Sequence, residues 1–468
     1  MAGKESPSAT AYFYLRNPGA GTHIASFQTA SKGRILLPFR GAVLWRLFMT
    51  LTTSLGISVG GLLAQSLAVS NISNDLANAS STGYKATDTN FSDLISTYTS
   101  KADVGLNGVS AALSYNNDAQ GTISSTNSTL DLAINGNGYF AVRTATTDAT
   151  GATVFGTDTF YTRCGDFSTD ANGYMVNSEG YYLCGWTVDP VTGVANTAAL
   201  APMQILSDAI NAPIASTVLT YEANVPAGNA GTTSSATASV YDSEGERHNV
   251  SYSWTLLDAE DNRWTLNITA EDGLGTGVDY TSSAEVTFDE TGHLELITPA
   301  AGLTSADTSI SFALSYAGAT AQTLTCDLAN VTQFATTSIS VDAFTANGVP
   351  EGSYSSTAID KYGNVNISFT NGQVERYYQI PVATFVAVDY LAPISGTAYQ
   401  ATLASGAATY SAAGEDGAGV IASSALEEST VDIASEFTNL IKSQQVYSAN
   451  AKVVTAVNEM MKTLVALQ

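Results

Sequence analysis

Charge is scarce in this chain. Asp, Glu, Lys and Arg make up 13% of 468 residues, with 17 Lys and Arg against 42 Asp and Glu. So few cations cannot neutralise a phosphate backbone, which argues against nucleic acid as a partner. The net charge of −25 argues equally against adhesion to anionic lipid. Cysteine is also rare. Cys164, Cys184 and Cys326 make neither a disulfide framework nor a metal set. A Cys164–Cys184 bridge across a hairpin is one reading of the pair, and buried apolar thiols are the other. The three histidines, His23, His248 and His293, stand apart from any Cys or suggestive Ser, so no nucleophilic triad or zinc site is indicated. No phosphate loop or dinucleotide fingerprint occurs. No uninterrupted run of 18 apolar residues is present to span a bilayer. Nothing in the chain calls for an enzyme or a cofactor.

The little charge present is unevenly placed. Residues 1–48 carry six Lys or Arg and one acidic residue, and the remainder carries eleven against 41. The apolar stretch 35–48 is interrupted by Pro38, Arg40 and Arg46 and fits a signal peptide poorly. The composition changes at Met49, where the pattern resembles a true start. Residues 1–48 are therefore expected to be a disordered extension from a mis-called start.

What the chain does have is a heptad seam at each end. Leu55, Leu62, Val69 and Leu76 are seven apart, with Val59 and Ile72 beside them. Near the C-terminus Ile433, Leu440, Tyr447, Val454 and Met461 repeat the spacing. Phe437, Gln444, Ala451, Asn458 and Val465 follow on the adjacent ridge. A period of 3.5 is a surface meant for another helix. The pattern predicts one helix over 51–78, capped by Thr53 or Ser54 and stopped before Gly83. A second is predicted over about 433–465, roughly 50 Å long at 1.5 Å per residue. The chain is expected to return to helix near 424–428, with Ser429 or Thr430 as cap. A seven-spaced stripe is commonly the core face of an intramolecular helix. These two helices have other apolar faces as well, with Leu63, Leu67, Val446, Val453, Val457 and Leu464, and two helices cannot bury surfaces that wide. Contacts between subunits are therefore expected.

Between the helices the signals are β. Short apolar runs at 132–134, 138–142, 161–163, 174–176 and 181–183 alternate with turn residues. Asp170-x-x-Gly173, Asp242-x-x-Gly245, Asp289-x-x-Gly292 and Asp360-x-x-Gly363 each suit a type I turn closed by a left-handed glycine. They lack the alternating oxygen ligands and terminal Glu of a calcium loop. Residues 200–340 are richer in Thr, Ala and Ser, and alternating strands are expected at 237–241, 249–257, 264–268 and 284–288. The fold class is thus mainly β with long helices at both termini. A coiled-coil domain pairs 49–90 with 424–468. An inner β-domain comprises 91–200 and 345–423, and an outer β-domain, 201–344, is inserted in it.

These residues resemble the flagellar hook protein family. Gly60-Gly61-Leu62-Leu63-Ala64-Gln65-Ser66, Ile72-Ser73-Asn74-Asp75-Leu76-Ala77-Asn78 and Thr82-Gly83-Tyr84-Lys85 are similar to the signature shared by flagellar axial proteins. The blocks Leu130–Phe140, Tyr161–Phe167 and Asn177–Trp186 resemble the next shared stretch of rod and hook proteins, and 241–245 resembles the hook-specific insert. Leu426-Glu427-Glu428-Ser429-Thr430-Val431-Asp432 and Ser443–Asn450 resemble the C-terminal block. Cys164 and Cys184 depart from the pattern, as do Thr430 in place of Asn and Gln445 in place of Arg. The resemblance implies a subunit exported without a cleaved signal, which self-assembles outside the cell into a flexible helical tube that transmits torque. It implies as partners the subunit itself, the hook cap, the distal rod, the hook–filament junction proteins and the export apparatus, with no nucleic acid and no membrane insertion. The alternatives are another axial protein, such as distal rod or junction, and a secreted surface-layer or adhesin subunit. Rod proteins lack an insert like 200–340, and an adhesin has no need of matched helical seams.

Overall fold

Two helices begin and end the described part of the chain, and β-structure fills the interval. In the computed structural model the described residues are 39–94, 108–148, 153–190, 192–227, 233–258, 262–270, 280–316, 318–336 and 338–466. They fall into two compact units. One holds α1 up to Asn74, the stretch Thr89–Leu113 and the chain from Ala434 onward. The other holds Asp75–Asp88 and Ser114–Ile433.

Helix α1 spans Phe39–Ala77 and α2 spans Ile433–Ala466. The start of α1 differs from the expectation. Residues 39–48 continue the helix instead of belonging to a disordered extension, while 1–38 lie outside the described residues. Phe39 follows Pro38, which is tolerated at a helix start, and Gly41 is the one weak helix former before Thr50. From Met49 to Ala77 the helix is long and apolar enough to cross a membrane by length and composition. Counting uninterrupted apolar residues misses this, because the Ser, Thr and Gly between them are only weakly polar.

The approach to α2 also differs from the expectation of helix near 424–428. Ala425–Glu427 is a strand paired antiparallel with Ile123–Ser125. Ser429 Oγ accepts from the backbone N–H of Val431 at 3.3 Å, whereas Thr430 Oγ1 is taken by the N–H of Ala86 at 2.8 Å. The helix therefore begins only at Ile433.

In the second unit one apolar core draws on two separated stretches of chain. Leu132, Ile134, Phe140, Val142, Met175, Leu183 and Met203 pack with Val365, Ile367, Ile380, Val382 and Ile421, all fully or almost fully buried. Strand pairing interleaves the stretches. Phe140 lies opposite Val382, Trp186 opposite Gln379 and Ile134 opposite Ile421. The apolar runs at 132–134 and 138–142 read as continuous because both faces of their strands are covered. The three thiols are free and buried, so the bridge reading of Cys164 and Cys184 does not hold. Cys164 Sγ instead lies 2.8 Å from Asp166 Oδ1.

A second core lies wholly between these stretches. A five-stranded antiparallel meander runs through Thr233–Tyr241, Arg247–Asp258, Arg263–Ala270, Tyr280–Phe288 and Leu294–Pro299. Inward and outward residues alternate strictly along Arg263–Ala270, as a half-buried antiparallel sheet requires. The facing sheet centres on Val218–Pro226, which pairs in parallel with Gln322–Asp327 and Val331–Phe334 and antiparallel with Ser340–Ala346. Trp254 and Trp264 are fully buried between the sheets. Tyr221 stacks on Phe344 with centroids 4.4 Å apart and accepts the indole N–H of Trp254 at 3.0 Å.

The D-x-x-G segments are turns of one kind. In each, the Asp Oδ1 accepts two backbone N–H groups, as Asp360 does from Tyr362 and Asn364 at 2.9 Å. The closing glycines have φ of 82°, 84°, 82° and 80° at Gly173, Gly245, Gly292 and Gly363, a left-handed region that a Cβ disfavours.

Truncating a large side chain in a dry core leaves a cavity costing about 3–5 kcal/mol. Trp254→Ala is expected to lose that much, read from the shift of the chemical denaturation midpoint by circular dichroism. A loss below about 1 kcal/mol would mean that the site collapses around the smaller residue.

Candidate assembly surfaces and the charged junction

The reactive groups do not form a catalytic set among the described residues. His248 Nε2 pairs with Asp242 Oδ2 at 3.0 Å, and His293 packs edge-on against Phe334. His23 lies outside the described residues.

The helices divide their surfaces in a way the apolar spacing only partly reports. On α1 the buried line is Leu51, Ser58, Gly61, Ala64, Ala68, Asn71, Ile72 and Asp75. Of the seam residues read from sequence, Ile72 is buried, Leu55, Leu62, Val69 and Leu76 are half-buried, and Val59 is exposed. The buried line is made largely of small side chains because α2 comes close. A Cβ added at Gly61 would stand 2.7 Å from Asn450 Nδ2.

On α2 the covered residues are Glu436, Leu440, Ser443, Asn450, Ala451, Val454, Val457, Met461 and Leu464, with Ala451 from the second predicted ridge among them. Leu440, Val454 and Met461 from the first predicted ridge are among them, whereas Ile433 and Tyr447 are exposed. From the second predicted ridge, Phe437 is 48% exposed and Val465 61%. The companion ridge in the structure lies one residue earlier, at 436, 443, 450, 457 and 464. Glu436, Ser443 and Asn450 are polar, so no apolar signal marks it. The single chain thus leaves Ile57, Val59, Leu63 and Leu67 exposed on α1, and Phe437, Ile441, Tyr447, Val453, Met460 and Val465 on α2.

In the second unit, the segment that follows α1 meets the segment that precedes α2. The backbone N–H of Gly83 donates to the Glu427 carbonyl at 2.8 Å, and that of Thr430 donates to Tyr84 at 3.1 Å. Tyr84 OH donates to Asp75 Oδ1 at 2.8 Å. At the centre, the Glu427 carboxylate is completely buried. Lys85 Nζ and Gly121 N–H donate to its Oε1, and Arg163 Nη1 donates to Oε2 at 2.9 Å. Each cation has further acceptors. Lys85 Nζ donates to the Ala119 carbonyl, and the Arg163 guanidinium donates to those of Ile134 and Gly136 at 3.0 and 2.6 Å. The guanidinium carbon also lies 5.3 Å from the centroid of the Tyr139 ring.

Two cations around one anion leave a positive excess in a dry place. Burial holds the Lys85 ammonium below the usual lysine range, outweighing the pull of Glu427 in the other direction. Burial likewise pushes the Asp75 carboxyl up, against the hydrogen bonds from Tyr84 and Thr87. Sequence reading quoted Lys85, Arg163 and Glu427 only as parts of motifs and assigned them no role. Their rarity was the available signal. After residue 48 only eleven Lys or Arg remain, and two of them sit in this cluster.

Terminal helices with uncovered apolar rows and a β-rich middle are the architecture of a flagellar axial protein as three family models identify it. Residues 133–218 match the flagellar hook protein FlgE/F/G D1 domain, 210–349 the flagellar basal body protein FlaE D2 domain, and 422–467 the flagellar basal body rod FlgEFG protein C-terminal. The chain is 31% identical over 425 residues to the flagellar hook protein FlgE of Rhizobium meliloti, covering 90% of this chain and 100% of that one. It is 29% identical over 427 residues to that of Salmonella typhimurium, covering 88% and 99%. The crystal structure of Helicobacter pylori flagellar hook protein FlgE2 superposes with a TM-score of 0.44 at 15% identity, covering 64% of this chain and 98% of that one. The chain belongs to the flagellar hook protein FlgE family. It is a structural subunit of the flagellar hook, part of the flagellum outside the cell.

Removing one partner of a buried ionic group costs about 3–5 kcal/mol, because the charges left behind stay dry. Glu427→Ala is expected to destabilise the second unit by that amount and to speed amide exchange at Gly83 and Thr430. A variant as stable as the parent, with unchanged exchange, would show that water already solvates Lys85 and Arg163.

Proposed function

We propose that the subunit self-assembles into a flexible helical tube through its terminal helices. The observation that carries this reading is the apolar surface that α1 and α2 leave open after packing on each other. Leu63, for example, is 68% exposed. Polar residues on the covered line, Asn71 and Asp75 among them, favour packing against protein over a place in lipid. The helical regions, 49–90 and 424–468, act as a coiled-coil inner layer. Residues 91–200 with 345–423 act as an inner β-domain, and 201–344 as an outer β-domain inserted in it. Support for that division comes from the two separate apolar cores. Further support is the pairing of Ile214 with Val349, where the chain passes between them. The seam residues Leu55, Val59, Leu62, Val69, Ile72, Leu76, Ile433, Phe437, Leu440, Tyr447, Val454, Met461 and Val465 divide between the contact within the subunit and contacts between subunits.

Torque needs axial contacts that do not yield, and close-packed helices supply them. Bending needs outer contacts that slide, and Ser- and Thr-rich strand faces supply those. The natural partners are further copies of the subunit, with the hook cap, distal rod and hook–filament junction proteins at the two ends. The subunit reaches this place through the flagellar export apparatus, without a cleaved signal. A distal rod subunit is the nearest rival, and the match of 210–349 to a D2 domain favours the hook.

Removing residues 461–468 is expected to abolish polymerisation while leaving the thermal melt of the β-cores unchanged, because Met461 and Leu464 are half-buried only on the helix. Normal tubes in electron micrographs of the truncated protein would overturn the helical-layer reading. Excising 205–340 is expected to give a thinner tube that still forms. An unfolded monomer by circular dichroism would show that this segment is integral to the main fold.

A further inference from the structure

The turn after the strand Thr233–Tyr241 holds a set of ligand atoms that the hook role does not use. Asp242 Oδ1 is committed to the backbone N–H groups of Glu244 and Glu246, both at 2.9 Å. This leaves Oδ2 free to face His248 Nε2 at 3.0 Å. The imidazole cannot swing away, because its ring lies flat on Tyr316 with centroids 3.5 Å apart and planes within 6°. Both Asp242 and His248 are buried. The Glu246 carboxylate is exposed, and one atom from each of the three side chains lies within 4.8 Å of the others.

Zinc binds carboxylate oxygen and imidazole nitrogen at about 2.0–2.2 Å. Two such ligands about 90–100° apart on one ion are separated by about 3 Å, the separation already present between Oδ2 and Nε2. Their backbone and stacking contacts hold them there, so only the exposed Glu246 side chain has to move to close the site. We propose that Asp242, Glu246 and His248 bind one divalent cation of the zinc class, with water completing its coordination.

The location gives the site a mechanical meaning. Tyr241 and Ser216 are tied twice, by Ser216 N–H to the Tyr241 carbonyl at 2.8 Å and by Tyr241 N–H to Ser216 Oγ at 2.9 Å. A Cβ added at Gly245 would stand 2.7 Å from Pro213 and 3.2 Å from the Glu351 nitrogen. Pro213 and Glu351 lie on the two strands of chain that pass between the cores. An ion clasping this turn therefore stiffens the brace against which both crossings rest.

Calorimetric titration of the unassembled full-length subunit with zinc chloride tests the site without reference to polymerisation. The expected result is one ion per chain, a melting temperature raised by about 2–4 °C at saturation, and reversal by a chelator. Glu246→Gln should weaken binding at least tenfold and His248→Gln should abolish it, whereas Glu244→Gln, in the same turn but outside the set, should bind as the parent does. Equal binding by the parent and Glu246→Gln would place the zinc on scattered surface carboxylates and overturn the proposal. That comparison decides the matter even if His248→Gln fails to fold, since the Glu246 side chain is exposed.

Discussion

A carboxylate that cannot reach water governs how the two ends of this chain are joined. Glu427 is tolerable in the interior only because Lys85, Arg163 and the N–H of Gly121 surround it. The reverse also holds, since neither cation forms an ion pair with another anion among the described residues. The neighbouring backbone follows from this closure. Gly83 N–H donates to the Glu427 carbonyl and Thr430 N–H to that of Tyr84 across the same seam, and the Thr430 hydroxyl oxygen accepts from Ala86 N–H instead of capping α2. Replacing the cluster by apolar residues could leave the unit as stable or more so. What an apolar replacement lacks is direction, because three charged side chains with six hydrogen bonds accept one alignment of the segments that carry them.

Periodicity made most of the fold legible. The alternation in Arg263–Ala270 and the Asp and Gly of each turn are local signals, and the structure places strands and turns where they stand. Two kinds of feature were not legible. Parallel pairing of Val218–Pro226 with Gln322–Asp327 joins residues about a hundred positions apart, and no local pattern encodes the partner of a strand. Thr430 has the residue type of a helix cap, yet its hydroxyl oxygen accepts from Ala86 N–H and the helix starts three residues later, at Ile433.

The helices show why a heptad is an incomplete guide to what it packs against. Apolar spacing found Leu440, Val454 and Met461 on the covered side of α2. It could not find Ser443 and Asn450, whose merit is size and polarity suited to a neighbour as close as Gly61. Bulky residues such as Phe437 and Leu63 stand outside because close approach leaves them no room. Around Gly61 and Asn450 the covered faces are lined by small or polar residues, while large apolar residues such as Leu63 and Phe437 stand outside, a departure from the usual amphipathic helix. Leu63 and Phe437 remain exposed on the single chain.

Lys85 and Glu427 are 342 residues apart. A chain that leaves a narrow passage from either end therefore carries an unmatched partner until nearly all of it has emerged. Until then the Gly83 and Thr430 seam has nothing to close on, and the flanking segments stay soft. The junction can close only when both distant segments are present. A subunit missing its final fifty residues lacks the carboxylate that pairs with both Lys85 and Arg163.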